Sequence, residues 1–223
     1  MSAVTARAVN WTELGFVPDT VIRAGIRRLL ESKRREIHSG DTEFAADAMN
    51  RFVEHMNESP VALVPELANE QHYEVPADFF VHVMGEHLKY SCGYWPQGIN
   101  TLSESERAAL GVTTERAGIE DGMSVLDLGC GWGSLSLWIA QRFPNAHVTS
   151  VSNSASQREF ILARAAAREL GNVEVVVADM NDFDTERRFD RVVSIEMFEH
   201  MRNWGELYRR VAGWLEPDGK LFQ

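Results

Sequence analysis

Two carboxylates and an imidazole stand close together in Glu196-Met-Phe-Glu-His-Met201. If this segment turns helical, Glu196, Glu199 and His200 fall at i, i+3 and i+4 and share one face. Beside an apolar pocket, such a cluster can orient an amine and accept its proton, since histidine as a residue type has a reference pKa of about 6.5, near working pH. The same spacing also suits an ordinary helix start, with the acids favouring the N-terminal dipole and His200 in the packing.

A second feature binds rather than reacts. In Val125-Leu-Asp-Leu-Gly-Cys-Gly-Trp-Gly-Ser134 an apolar strand ending near Asp127 runs into Gly129, Gly131 and Gly133 and then into a helical pattern. Glycines there let the backbone turn tightly and approach a ligand more closely than any Cβ allows, with N–H groups and a helix N-terminus facing it. A glycine triplet alone also serves strand-to-helix packing, so its neighbours must decide. The next strand, His147-Val-Thr-Ser-Val151, ends in Ser152-Asn153, about 20 residues on, where a dinucleotide-binding protein places an acid for the ribose. No acid stands there. Asp127 before the loop, Asn153 after the second strand and Asp179-Met180 after the third together resemble the S-adenosylmethionine-dependent methyltransferases.

Those residues need a scaffold, and the hydrophobic pattern supplies one. Strands near 123–128, 146–151, 173–178 and 189–195 alternate with helices near 133–143, 154–170 and 203–215, which predicts an α/β, doubly wound parallel sheet. Ligands of such sheets bind beyond the carboxyl ends of the strands, so the glycine loop and Glu196-Met-Phe-Glu-His should face one crevice. Ahead of the sheet, helices are predicted over 18–38, 42–57, 76–89 and 103–117, and Tyr90-Ser-Cys-Gly-Tyr-Trp-Pro96 reads as a loop. Three sections follow: an N-terminal helical extension (1–60), a helical cap on the substrate side (61–121) and the cofactor-binding section (122–223).

The 223 residues, 44% of them hydrophobic, suffice for one α/β domain with a small helical extension. No apolar run of about 18 residues exists and the first residues lack a signal-peptide pattern, so a cytoplasmic protein without a transmembrane segment is expected. Cys92 and Cys130 have neither metal-ligand spacing nor partners for a disulfide framework. A net charge of −11 argues against a nucleic-acid backbone as partner. Residues 22–36 run against that charge, with Ile22, Ile26, Leu29 and Leu30 on one stripe and Arg23, Arg27 and Arg34 mostly off it. Such a basic amphipathic helix suits either a docked helix with a solvated face or peripheral contact with an anionic membrane.

Four ordered motifs sharpen the resemblance. Tyr90-Ser-Cys-Gly-Tyr-Trp, the glycine loop, Ser152-Asn-Ser-Ala-Ser-Gln157 and Ser194-Ile-Glu-Met-Phe-Glu-His-Met201 together resemble the coclaurine N-methyltransferase and cyclopropane fatty acid synthase superfamily, over most of the chain. The resemblance implies a Rossmann-like class I methyltransferase fold and S-adenosylmethionine as cofactor. It implies that Gly129, Gly131 and neighbouring backbone hold the methionine part, aided by Tyr90 and Ser91. Ser152, Asn153 and Gln157 would meet the ribose side, and Asp179 and Met180 would flank the adenine. Glu196, Glu199 and His200 match the residues around the substrate amine in the N-methyltransferase branch. In the synthase branch the position of Glu199 helps hold a bicarbonate base and that of Cys92 lies near it; here Cys92 is expected to be a small, buried structural thiol. Because Glu196 is present, N-methylation of a small-molecule amine is the favoured activity, with methylenation of a lipid alkene as the alternative.

The fifth strand of such a fold starts near Gly219-Lys-Leu-Phe-Gln223, where the chain ends. The resemblance implies further strands and a histidine-bearing segment beyond that point, which would cover one side of the sheet and close the substrate pocket. The expectation is a largely complete cofactor half, an exposed apolar edge, and doubtful turnover by these residues alone. A cofactor-binding module without catalysis is the alternative of another class.

Overall fold

The computed structural model describes residues 3–37, 40–63 and 76–223. The chain divides into two compact units, Met1–His55 and Met56–Gln223. The sections expected over 61–121 and 122–223 thus fall within one unit.

The first unit is helical. Helix α1 (Ala3–Glu13) was not foreseen, whereas α2 (Asp19–Ile37) and α3 (Thr42–Asn57) lie where hydrophobic periodicity places them. Asp19 opens α2 and Arg34 and Arg35 close it, the charge order that complements a helix dipole. Glu31 accepts hydrogen bonds from both of those arginines one turn on. Neither α2 nor α3 contains a buried residue.

The second unit carries the sheet. The predicted helix over 76–89 shortens to α4 (Ala77–Val83), and beyond it the N–H groups of Gly85 and His87 donate to the Glu106 side chain instead of to helix carbonyls. Helix α5 (Leu102–Ala117) begins in a reciprocal cap, with Glu104 N–H donating to Thr101 Oγ1 and Thr101 N–H to the Glu104 carboxylate. It stops at Gly118, whose φ of 61° a side chain would resist. Then follow β1 (Ser124–Leu128), α6 (Ser134–Arg142), β2 (His147–Ser152), α7 (Ala155–Ala167), β3 (Val173–Val177), β4 (Phe189–Val193), a 3-10 turn (Phe198–His200), α8 (Trp204–Trp214) and β5 (Leu215–Phe222).

All sheet pairings are parallel, in the order β3-β2-β1-β4-β5. The chain leaves β1 toward one edge and returns across it to β4, so a crevice opens where β1 and β4 diverge at their carboxyl ends. Strand periodicity splits the apolar residues between two cores. Leu126, Leu128 and Val192 join Leu207 and Trp214 of α8 on one face. Val125 and Val193 join Leu135 and Ile139 of α6 on the other. With both faces covered, β1 reads as nearly continuous apolar sequence, and each fully buried leucine or isoleucine contributes roughly 1.5–3 kcal/mol.

Residues 61 and 62 are tied to the ends of two strand connections. Asn181 exchanges two hydrogen bonds with the Ala62 backbone at 2.9 Å each, and Arg202 N–H donates to the Val61 carbonyl. Among the described residues no helix is long and apolar enough to cross a membrane.

Candidate functional site

The glycine loop forms at the end of β1 as its residue types require, with Gly129, Gly131 and Gly133 at φ of 79°, 52° and 77°. The three glycines serve different ends. A Cβ on Gly129 would come within 2.7 Å of Met197 Cγ, and one on Gly133 within 2.6 Å of Ile161 Cγ1, so both permit close packing. A Cβ on Gly131 would meet nothing within 4 Å, and this residue borders a cavity. The N–H groups of Gly129 and Cys130 both donate to the Val151 carbonyl at 3.0 Å, locking the loop onto β2.

The cavity is about 300 Å³ and is lined by four stretches of chain: Leu88 to Ser91, Leu110 and Thr113 of α5, Asp127 with the glycine loop and the start of α6, and residues between Ile195 and His200. It therefore brings together Tyr90, Ser91, Asp127, Gly129, Gly131, Glu196, Glu199 and His200, eight positions that the sequence assigns to cofactor or substrate. The common helical face expected for Glu196, Glu199 and His200 does not form. Only Phe198–His200 makes a 3-10 turn, and Glu196 sits in the left-handed region at φ 54°. The three side chains nonetheless share the cavity, because the chain bends directly after β4.

Five expected positions lie at the ends of β2 and β3, outside this lining. Ser152 and Gln157 are buried, with the Ser152 hydroxyl donating to Gln157 Oε1 at 2.6 Å. Gln157 Nε2 has no hydrogen-bond partner among the described residues. Asn153 and Asp179 are half-buried, and Asp179 Oδ1 accepts the Asn181 N–H at 2.7 Å. Met180 is buried, its side chain packed in the apolar core that contains Leu207 and Trp214. Cys92 corrects an expectation. It is exposed, whereas Cys130 is the buried thiol, pushed well above its ordinary range by burial and then by the neighbouring Asp127 charge.

Asp127 is 2% exposed, and its carboxylate accepts a hydrogen bond from Ser136 Oγ at 2.6 Å, which in turn accepts one from Ser150 Oγ at 2.8 Å. Burial pushes its pKa from 3.8 up to about 6, against the opposing Ser136 bond. A carboxyl raised in this way adds stability below its unfolded pKa and loses it as pH rises through about 6. The lost contribution is about 3 kcal/mol. Asp127→Asn keeps the hydrogen-bond acceptor and removes the charge. It is expected to raise stability at pH 7 by up to that amount and to flatten the stability profile between pH 4 and 6, read by denaturant melts; an unchanged slope would exclude Asp127 as its source.

Several residues at the site carry no sequence signal of their own. Lys89 lines the cavity while only 8% exposed, and its ammonium donates to Ser91 Oγ. Glu106 on α5 is fully buried and its carboxylate accepts the N–H groups of Gly85, His87 and Lys89 at 2.8, 2.8 and 3.3 Å. It thus holds the stretch that presents Lys89, Tyr90 and Ser91. Ser134 Oγ and Trp132 Nε1, both in the cavity wall, are buried without a hydrogen-bond partner among the described residues. Open space at Gly131 and orphaned polar atoms in the wall fit a ligand with polar groups. Among the described residues no cluster of His, Cys, Asp or Glu is placed to hold a metal ion.

Known proteins are similar to this chain in sequence and fold. (S)-Coclaurine N-methyltransferase of Thalictrum flavum subsp. glaucum is 39% identical over 220 residues, which are 99% of this chain and 61% of that one. Cyclopropane-fatty-acyl-phospholipid synthase of Escherichia coli (strain K12) is 32% identical over 155 residues, 69% of this chain and 39% of that one. The crystal structure of coclaurine N-methyltransferase bound to N-methylheliamine and SAH superposes with a TM-score of 0.85 at 38% identity, covering 98% of this chain and 63% of that one. Mycolic acid cyclopropane synthase CmaA1, complexed with SAH and CTAB, gives 0.63 at 29% identity over 71% of this chain and 56% of its own. The chain spans about three-fifths of the length of the curated N-methyltransferases it matches. The family model described as mycolic acid cyclopropane synthetase matches residues 65–223, and the chain belongs to that family of class I, S-adenosylmethionine-dependent enzymes.

Proposed function

We propose that this chain holds S-adenosylmethionine in the cavity at the end of β1 and that the protein containing it N-methylates a small-molecule amine. The supporting observation is that one cavity is lined by both the glycine loop and Glu196, Glu199 and His200. Tyr90, Ser91, Gly129 and Gly131 would hold the amino-acid end. Ser152, Asn153, Gln157 and Asp179 would take the ribose and base side, consistent with the unused Gln157 Nε2 donor. The greater similarity to N-methyltransferases than to cyclopropane synthases supports an amine over an alkene.

When bound, the cofactor supplies an activated methyl group with a neutral leaving group, so the protein's task is positioning. Amines reach the site mostly protonated. Glu196 and Glu199 attract that cation, and an unprotonated carboxylate or His200 accepts its proton, exposing the nitrogen lone pair. Leu88, Leu110 and Leu135 give the cavity an apolar wall, while Glu196, Glu199 and His200 are themselves exposed.

Titration calorimetry tests the first half of this reading, with NAD as control. Selective micromolar binding of S-adenosylmethionine supports it and opens a screen of amines and lipids for methyl transfer. Folded protein that binds neither ligand excludes it, and binding without turnover on any acceptor leaves a cofactor-binding module.

For the first unit we propose contact with an anionic membrane surface through residues 22–36. Leu29 and Leu30 are 72% and 64% exposed on a helix that also carries Arg23, Arg27, Arg28, Arg34 and Arg35. Co-sedimentation with phosphatidylserine vesicles that disappears at high salt is expected; equal binding to neutral vesicles counts against it. A cytoplasmic location is also proposed, supported by two cysteines that are both free thiols.

A further inference from the structure

The cavity contains a cationic side chain that no role above uses. Lys89 is nine-tenths buried at the cavity wall, and a buried ammonium is costly unless an anion or several acceptors meet it. Its hydrogen-bond partner among the described residues is a neutral hydroxyl, that of Ser91, and no carboxylate of those residues lies within 4 Å. An ammonium has three donors, so two are available to whatever fills the cavity.

The neighbouring wall has the same preference. Helix α6 starts at Gly133 without a side-chain cap, leaving the positive end of its dipole open beside the cavity. Ser134 in its first turn and Trp132 just before it each present a polar group without a hydrogen-bond partner among the described residues. Lysine, uncapped helix start, hydroxyl and indole N–H are all suited to a negatively charged group, while Asp127, Glu196 and Glu199 give the same cavity carboxylates. A cavity with both kinds of wall matches a ligand that carries an anion and a cation a few bonds apart, as an amino acid does.

We propose that Lys89 is the carboxylate anchor of this cavity, its ammonium and the Ser91 hydroxyl receiving the α-carboxylate of the amino-acid end of S-adenosylmethionine. This rests on the cofactor reading above and assigns one ligand group to one side chain. Burial pulls the Lys89 ammonium below the usual lysine range, opposed by the nearby Cys92, Glu196 and Glu106, and a bound carboxylate adds to that opposition. Glu106 is the positioning residue for the anchor, since its carboxylate receives the Lys89 backbone N–H from below.

The test pairs deletion of the side chain with deletion of the ligand group. Wild type, Lys89→Met and Lys89→Arg are titrated with S-adenosylmethionine and with decarboxylated S-adenosylmethionine, which lacks only the carboxylate. Wild type is expected to prefer the intact cofactor by roughly 10- to 100-fold. Lys89→Met should weaken the intact cofactor by a similar factor and leave the decarboxylated ligand within about threefold, while Lys89→Arg recovers most of the loss. Equal weakening of both ligands means a merely structural lysine and overturns the proposal, as does no weakening of either. Should Lys89→Met fail to fold, the wild-type comparison decides, because equal affinity for the two ligands overturns the anchor by itself. Wild type that binds neither ligand removes the cofactor reading and the anchor with it.

Discussion

The Glu196→Gln variant is expected to lose about 100-fold or more in amine methylation while binding S-adenosylmethionine nearly as wild type does. Glutamine keeps the size of the side chain and one carbonyl acceptor, but it cannot attract a protonated amine or take its proton. The backbone gives an independent reason to single out this position. Glu196 adopts φ 54°, a conformation that costs a residue with a Cβ about 1–2 kcal/mol relative to glycine. A glutamate kept there, in the wall of the cavity and at the start of the bend that brings in Glu199 and His200, opposes stability. Glu196→Gly is accordingly expected to gain up to about 1 kcal/mol in thermal or denaturant unfolding while losing the same activity. Turnover by Glu196→Gln within threefold of wild type, with the amine that wild type methylates, would falsify the assignment. Dependence on Glu199 without dependence on Glu196 would point instead to an alkene acceptor.

Glu106 should produce the largest loss of stability. Its carboxylate is 0% exposed and satisfies three backbone donors of residues 85–89, a stretch in which Leu88 sits at φ 50°. Removing it in Glu106→Ala strands those donors in a space closed to water, at about 1–3 kcal/mol for each one left buried. Gly85 has no side chain with which to fill the gap; in the wild type the carboxylate itself takes that space, since a Cβ on Gly85 would lie 2.6 Å from Oε2. A loss of about 3 kcal/mol or more in denaturant unfolding is expected, together with at least tenfold weaker cofactor binding, since Tyr90 and Ser91 follow directly from the held stretch. Glu106→Gln retains one acceptor oxygen but turns an amide N–H toward a donor, and should fall between wild type and alanine. Destabilisation below about 1 kcal/mol by the alanine variant would show that water or rearranged backbone meets those N–H groups.

Much of this architecture is legible along the chain because its signals are local. Alternation of apolar runs and helical periodicity places β1 to β4 and their helices within one to three residues, since burial on two faces leaves nearly continuous Val, Leu and Ile in each strand. The glycine loop is legible for the same reason, as positive φ at three alternating positions leaves few choices but glycine. Parallel order then forces the carboxyl ends of β1 and β4 together, so Glu196, Glu199 and His200 could be placed beside the loop before any coordinates. The three converge without a helix, because strand direction and the bend after β4, rather than helical spacing, aim them.

What the tertiary structure alone decided concerns residues whose meaning comes from partners far along the chain. Glu106 is one of several acids on α5 by sequence, and becomes the anchor of the cavity wall only because residues 85–89, 17 to 21 positions earlier, fold back over it. Lys89 reads as a surface lysine until that fold buries it. Cys92 is left in the open rather than buried, because burial depends on which element covers a loop and not on the residue in it. The sequence by itself thus determined the sheet, the loop and the family resemblance, all set by short-range pattern. Which charges are desolvated against the cavity, and hence which side chains can recognise a ligand there, depended on long-range contacts that no local pattern encodes.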